Sequence, residues 1–138
     1  MKIDMVLRMK IILSALVLWA IGTMVHAAPM GEKAAVCYIF KADKLKSKSP
    51  CILSMGYGAG GSYASMLIGE KLYNAETSNC YDKKKDEQYE CGTSLNGKDA
   101  IHYNRNLFYK KITDSSLITE NSLSCYLSKD KKIDICVK

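Results

Sequence analysis

Six cysteines, one glycine-rich run and two lysine clusters are the residues here whose type and spacing carry chemistry. Cys37, Cys51, Cys80, Cys91, Cys125 and Cys136 form an even set in a short chain. A zinc site would need Cys-x-x-Cys pairs or several histidines, and the chain has neither. No metal ligand set is read. Six cysteines allow fifteen disulfide pairings. Spacing favours neighbours: Cys37–Cys51, Cys80–Cys91 and Cys125–Cys136. Each bridge would close a local loop, contributing about 3 kcal/mol in the chain-entropy picture.

The glycine-rich run is Gly56-Tyr57-Gly58-Ala59-Gly60-Gly61-Ser62. Gly56, Gly58 and Gly61 match the Gly-x-Gly-x-x-Gly pattern of a strand-to-helix turn that holds pyrophosphate. The chain is short for a doubly wound sheet, and the segment that follows reads equally well as a hairpin. No cofactor is therefore assigned, and a glycine-rich bulge or wide hairpin loop is expected. Consecutive amides here would also suit an anion nest without any enzymatic activity. Gly58, Gly60 and Gly61, with the flanking Tyr57 and Tyr63, are candidate contact residues.

Acyl-transfer chemistry needs a nucleophile, an imidazole and an orienting carboxylate. His102 has Asp99 near it in sequence, and Ser62 is a conceivable nucleophile, but no Gly-x-Ser-x-Gly elbow is present. A solvent-facing structural histidine is the reading taken. Asp82, Asp86, Glu87 and Glu90 cluster with Lys83, Lys84 and Lys85. A carboxylate pair for glycoside hydrolysis needs only spatial proximity, which keeps a small secreted hydrolase as the alternative function. Stapled by Cys80 and Cys91, the same cluster reads as a protruding charged tip, a contact element with Lys83, Lys84 and Lys85 at its front. Lys41, Lys44, Lys46 and Lys48 form a second basic group near Tyr38 and Phe40. No nucleic-acid motif accompanies it, so nucleic acid is not expected. An anionic envelope polymer is the charge-based alternative ligand.

The elements that must position these residues begin after a leader. Lys2, Arg8 and Lys10 precede the apolar run Ile11 to Ile21, and Val25-His26-Ala27 reads as a cleavage site. Residues 1–27 are read as a signal peptide and residues 28–138 as one disulfide-stapled, β-rich domain. The apolar run is too short to span about 30 Å of hydrocarbon comfortably, so no membrane span is expected in the mature form. The leader holds three of the 20 Lys+Arg and one of the 14 Asp+Glu, leaving a mature charge of +4. Export and paired cysteines place the protein in the periplasm or the secreted space.

Short runs of β-formers separated by turn signals follow. Asn96-Gly97 is the clearest hairpin turn, since both residues tolerate positive φ. Gly69-Glu70 suits a second hairpin, and Lys41 to Lys44 a third turn. The strand after Asn96-Gly97 is expected to run on to Phe108-Tyr109. A turn at Asp130-Lys131 sets Cys125 opposite Cys136. Cys37-Tyr38-Ile39 and Cys125-Tyr126-Leu127 echo one another, as recurring strand-plus-turn chemistry would. Thr113 to Asn121 has no period and reads as loop or one helical turn. The fold class is mainly β: a small antiparallel sheet or sandwich-like domain of about six to eight strands.

Size, export and β content are similar to those of small periplasmic lysozyme inhibitors. Their Ser-Gly-x-x-Tyr loop has no counterpart: Gly60-Gly61-Ser62-Tyr63 has the wrong order. Bacterial immunity proteins share the same general form. The function expected is an exported, non-catalytic binding module that binds or inhibits another protein of the cell envelope.

Overall fold

The computed structural model describes residues 28–58 and 60–138. Residues 1–27, expected from the sequence to be a signal peptide, lie outside them. Nine strands account for most of the rest: β1 (Ala28–Lys41), β2 (Lys44–Gly58), β3 (Gly61–Ile68), β4 (Lys71–Asp82), β5 (Glu87–Leu95), β6 (Lys98–Arg105), β7 (Lys111–Ile112), β8 (Leu123–Ser128) and β9 (Asp134–Val137). One 3₁₀ turn, Ser115–Leu117, is capped by Asp114 and sits in the segment that showed no period. No helix among the described residues is long and apolar enough to cross a membrane.

The hairpins follow from turn chemistry. Asn96 and Gly97 have φ of 52° and 73°, as a type I′ turn demands. Ala42 and Asp43 adopt 49° and 63° between β1 and β2, and Gly69 adopts 59° between β3 and β4. Each two-residue turn fixes the register of the strands it joins. Leu95 thus pairs with Lys98, and Ile68 with Lys71.

All pairings are antiparallel, and the order β5-β4-β3-β2-β1-β9-β8-β6-β7 is completed by β5 pairing with β6. Eight strands therefore form a closed ring, with β7 as a short flap on β6. The expected antiparallel sheet is present, as one sheet curled shut rather than two stacked faces. Closure leaves the ring strands without a free edge. The β1–β2 and β8–β9 hairpins adjoin through β1 and β9. They are not copies: Cys37 belongs to the inner core and Cys125 to the outer one.

Alternation along the strands builds two cores. Cys37, Leu53, Met66, Tyr73, Ala75, Leu95 and Ile135 fill the ring. On the outer wall, Tyr38, Phe40, Leu123, Cys125 and Cys136 form a second cluster, with Tyr103 and Tyr109 against it. Small barrels are filled by side chains in this way, but coverage of the outer wall requires an extra layer. The chain between β6 and β8 supplies it.

The three disulfides are Cys37–Cys51, Cys80–Cys91 and Cys125–Cys136, and no described cysteine is free. Cys125 and Cys136 are direct cross-strand partners, with Cα atoms 4.0 Å apart. Cys91 is the extra residue of a β-bulge: Ser78 pairs with Gly92, but Asn79 pairs with Glu90.

Candidate functional site

At one end of the ring, the glycine-rich run turns β2 into β3. It leads into a strand, so it offers no helix N-terminus for a pyrophosphate. Gly61 has φ 138°, and a Cβ there would fall 1.8 Å from the Thr77 carbonyl oxygen. Only glycine admits that approach, and it lets β3 close on β4. At Gly56 a Cβ would meet the Tyr63 ring at 2.4 Å, because Tyr63 lies flat over that glycine. Asn79 N–H donates to the Gly60 carbonyl at 3.2 Å, tying the loop to β4. Tyr57, Gly58, Gly60, Gly61 and Tyr63 thus come together around a shallow hollow of about 410 Å³. Tyr57 is 59% exposed. Tyr63, which the sequence placed beside it as a second contact, is half-buried instead by its packing on Gly56.

The β4–β5 hairpin overruns the ring at the same end, with Lys83, Lys84 and Lys85 exposed at its tip. Cys80–Cys91 staples its stem. The carboxylates of this tip are engaged locally. Asp82 accepts from the Lys84 amide at 2.9 Å, Asp86 from the Tyr81 hydroxyl, and Glu87 lies 3.9 Å from Lys85. Tyr81 and Tyr89 are exposed on the same hairpin. The sequence reading did not select them, although alternation in a stapled hairpin offered that signal.

His102 is exposed, and its Nε2 lies 3.0 Å from the Ser124 hydroxyl. Asp99, the carboxylate nearest in sequence, is bound by Lys129 at 2.9 Å. His102 and Asp99 thus each bond a residue other than Ser62, namely Ser124 and Lys129.

A further exposed apolar region was not legible in the sequence. β6 stops at Arg105 and does not run on to Phe108-Tyr109. Asn106 breaks it. The Asn106 Oδ1 accepts from the Phe108 and Lys110 amides at 2.9 and 3.0 Å, and Tyr109 takes φ 65°. Tyr109 N–H donates to the Asn106 carbonyl and Asn106 N–H to the Lys110 carbonyl, each at 2.9 Å. The loop therefore satisfies its own backbone and folds back along the outer wall. Tyr109 packs against Tyr38 and Phe40, with ring centroids 5.8 Å apart in each case. Phe108 is left 84% exposed, with Leu107, Leu117 and Ile118 also exposed.

Arg105 locks that loop in place. It is 1% exposed, and it donates to the Tyr109 carbonyl at 2.8 Å, to Asp43 at 2.8 Å and to Asp134 at 3.0 Å. Its guanidinium stacks over Phe40 at 4.1 Å. Tyr103 donates to Asp134, and burial together with that carboxylate pushes the Tyr103 hydroxyl well above the usual phenol range. A lone arginine beside two asparagines gives no sequence cue to such burial.

The electrostatics favour ionised, satisfied carboxylates. Lys111 and Arg105 hold Asp43 below the usual carboxylate range, Lys129 does so for Asp99, and Ser116 for Asp114. Among the described residues, no group of three or more His, Cys, Asp or Glu is placed to hold a metal ion. What these two regions offer chemically is exposed aromatic, aliphatic and lysine side chains. No family model, curated protein or solved structure matches the chain.

Proposed function

We propose that this protein is an exported, non-catalytic binding module of the periplasm or secreted space that engages another protein, in an inhibitor- or immunity-type role. The observation that carries the reading is the Asn106–Lys110 loop. It holds Phe108 almost fully in water on a backbone fixed by its own hydrogen bonds and by Arg105. An exposed large aromatic beside Leu107, Leu117 and Ile118 is unfavourable in water unless a partner covers it. Fixing it beforehand lowers the ordering cost of association, and aromatic anchors of this kind dominate interface energetics. A protein partner fits better than a glycan because the patch is aliphatic as well as aromatic. Tyr57 and the lysine tip at the glycine end are a second contact region, where the lysines would act mainly on association rate.

The test is affinity capture from the native envelope or medium, repeated with Phe108→Ala, Tyr57→Ala and Lys84→Ala variants. A partner that binds the native protein should lose about 2 kcal/mol of affinity with Phe108→Ala and much less with Lys84→Ala. Equal retention by all variants, or turnover of a glycan, peptide or ester by the purified protein, overturns the reading.

A further inference from the structure

The opposite end of the ring, where the β1–β2, β3–β4, β5–β6 and β8–β9 turns lie, opens into a cavity of about 640 Å³. Five lysines line it: Lys41 and Lys46 from the β1–β2 hairpin, Lys71 at the start of β4, and Lys131 and Lys132 from the β8–β9 turn. No Asp or Glu is among its lining residues. The ion pairs among the described residues use Lys85, Lys98, Arg105, Lys111 and Lys129, and none of these five.

Four carboxylates, Asp43, Glu70, Asp130 and Asp134, stand close in sequence, and none lines the cavity; Asp134 is buried against Arg105 at 3.0 Å. Asp43 binds Arg105 and Lys111, each at 2.8 Å. Asp130 accepts from the Ser128 hydroxyl at 2.6 Å and the Lys132 amide at 3.1 Å, and pairs with Lys98 at 3.3 Å. Those bonds also stiffen the β8–β9 turn, where Lys131 has φ 57°. Glu70, next to Lys71, is exposed and does not line the cavity.

Lysines kept for solubility are dispersed and interleaved with acids. Here cations from three hairpins converge on one concavity without counter-charge, and a concave low-dielectric wall focuses their field. Charges set on three sides are not matched by a monovalent ion. The cavity has the volume of a small-molecule site, commonly about 300–1,000 Å³. Lysine without arginine suits phosphate taken as a point charge rather than a carboxylate gripped by a planar fork.

We propose that this mouth binds a compact anion carrying two or more phosphate groups, independently of the protein-contact surface at the other regions. The experiment is titration of the purified, oxidised protein with pyrophosphate and tripolyphosphate at low ionic strength. It is followed by calorimetry and by ¹H–¹⁵N NMR, with orthophosphate as the comparator. Saturable binding is expected, tighter for tripolyphosphate than for orthophosphate, with shifts confined to residues 41–46, 71–73, 96 and 131–133. Lys131→Ala with Lys132→Ala should weaken binding about tenfold or more. The triple replacement of Lys83, Lys84 and Lys85 by Ala should leave it unchanged. The NMR map on the native protein keeps the test valid if a variant folds poorly. Equal weakening by the two sets, shifts spread over the tip lysines, or no saturation at millimolar ligand overturns the proposal. So does binding to phosphatidylglycerol vesicles without binding to pyrophosphate.

Discussion

The two ends of the ring are built from the same unit, the antiparallel hairpin, yet they expose opposite chemistry. At the turn end the β1–β2, β3–β4 and β5–β6 connections are two-residue turns, and the lysines beside them line a cavity. At the glycine end the strands overrun the ring and a disulfide staples one hairpin, while along the outer wall the long β6–β8 connection leaves aromatic and aliphatic groups in water. Short turns hold register with backbone geometry alone, which frees neighbouring side chains to carry like charge. Long connections must instead be held by side chains, and they are where a protein surface gains room for contact residues. Arg105 ties the turn end to the β6–β8 connection: one guanidinium nitrogen binds Asp43 in the β1–β2 turn and the other binds the Tyr109 carbonyl.

The sharpest way to break this comparison is to cut that link. Arg105→Met removes the cation facing buried Asp134, leaves Asp43 to Lys111 alone and frees the Tyr109 carbonyl. Loss of one partner from a buried pair typically costs about 3–5 kcal/mol. Urea unfolding should show that loss, and amide exchange should rise in residues 106–110. A loss under about 1 kcal/mol would mean that Arg105 behaves like a surface pair and that the loop is held by Tyr109 packing alone.

The disulfides compare the regions at equal loop length. Cys80–Cys91 and Cys125–Cys136 each span a sequence separation of 11, so the chain-entropy contribution, about 3 kcal/mol, is the same for both. Their settings differ: Cys125 and Cys136 are fully buried in the outer core, whereas Cys91 is exposed at a bulge. Double alanine replacement at Cys125 and Cys136 should therefore lower stability more than the same change at Cys80 and Cys91. Identical unfolding midpoints for the two variants would remove the distinction.

What was readable in the sequence falls along the same division. Asn96-Gly97, Gly69-Glu70 and the Cys125–Cys136 register were legible because turn chemistry acts over a few residues. Closure of the ring was not, since β1 pairs with β9 across nearly the whole described chain and no local pattern announces it. Tyr57 and the glycine run were picked out by composition, and the hollow does gather them. Phe108 was misread because β-formers continue past Arg105, while the break depends on one Asn106 side chain bonding two amides.

Glycines at the two ends should also respond unequally. Gly61→Ala sets a Cβ against the Thr77 carbonyl at a φ that side chains avoid, and should cost about 2–3 kcal/mol. Gly69→Ala meets open space at φ 59° and should cost about 1 kcal/mol. Thermal unfolding of the two variants side by side measures the difference. Equal shifts would show that conformation alone, and not the close approach of β3 to β4, makes glycine necessary at Gly61.

The smallest effect concerns acid. Asp130 is held down to about 2, first by the Ser128 hydroxyl and then by the Lys132 amide. Its value in the unfolded chain is near the ordinary aspartate range, about 3.9. The folded group therefore binds its proton less readily than the unfolded one. Its stabilising contribution is fully present above about pH 4 and is lost as pH falls toward 2. Asp130→Asn removes the titration while keeping an oxygen that can accept from Ser128 and the Lys132 amide. The native protein should thus lose more stability than the variant between pH 5 and pH 2. Because Asp130 shapes the turn that carries Lys131 and Lys132, the same acid titration should loosen the lysine mouth before it affects the outer wall. NMR shifts of residues 131–133 that move together with those of residues 106–110 would contradict that order and show that the two regions titrate as one unit.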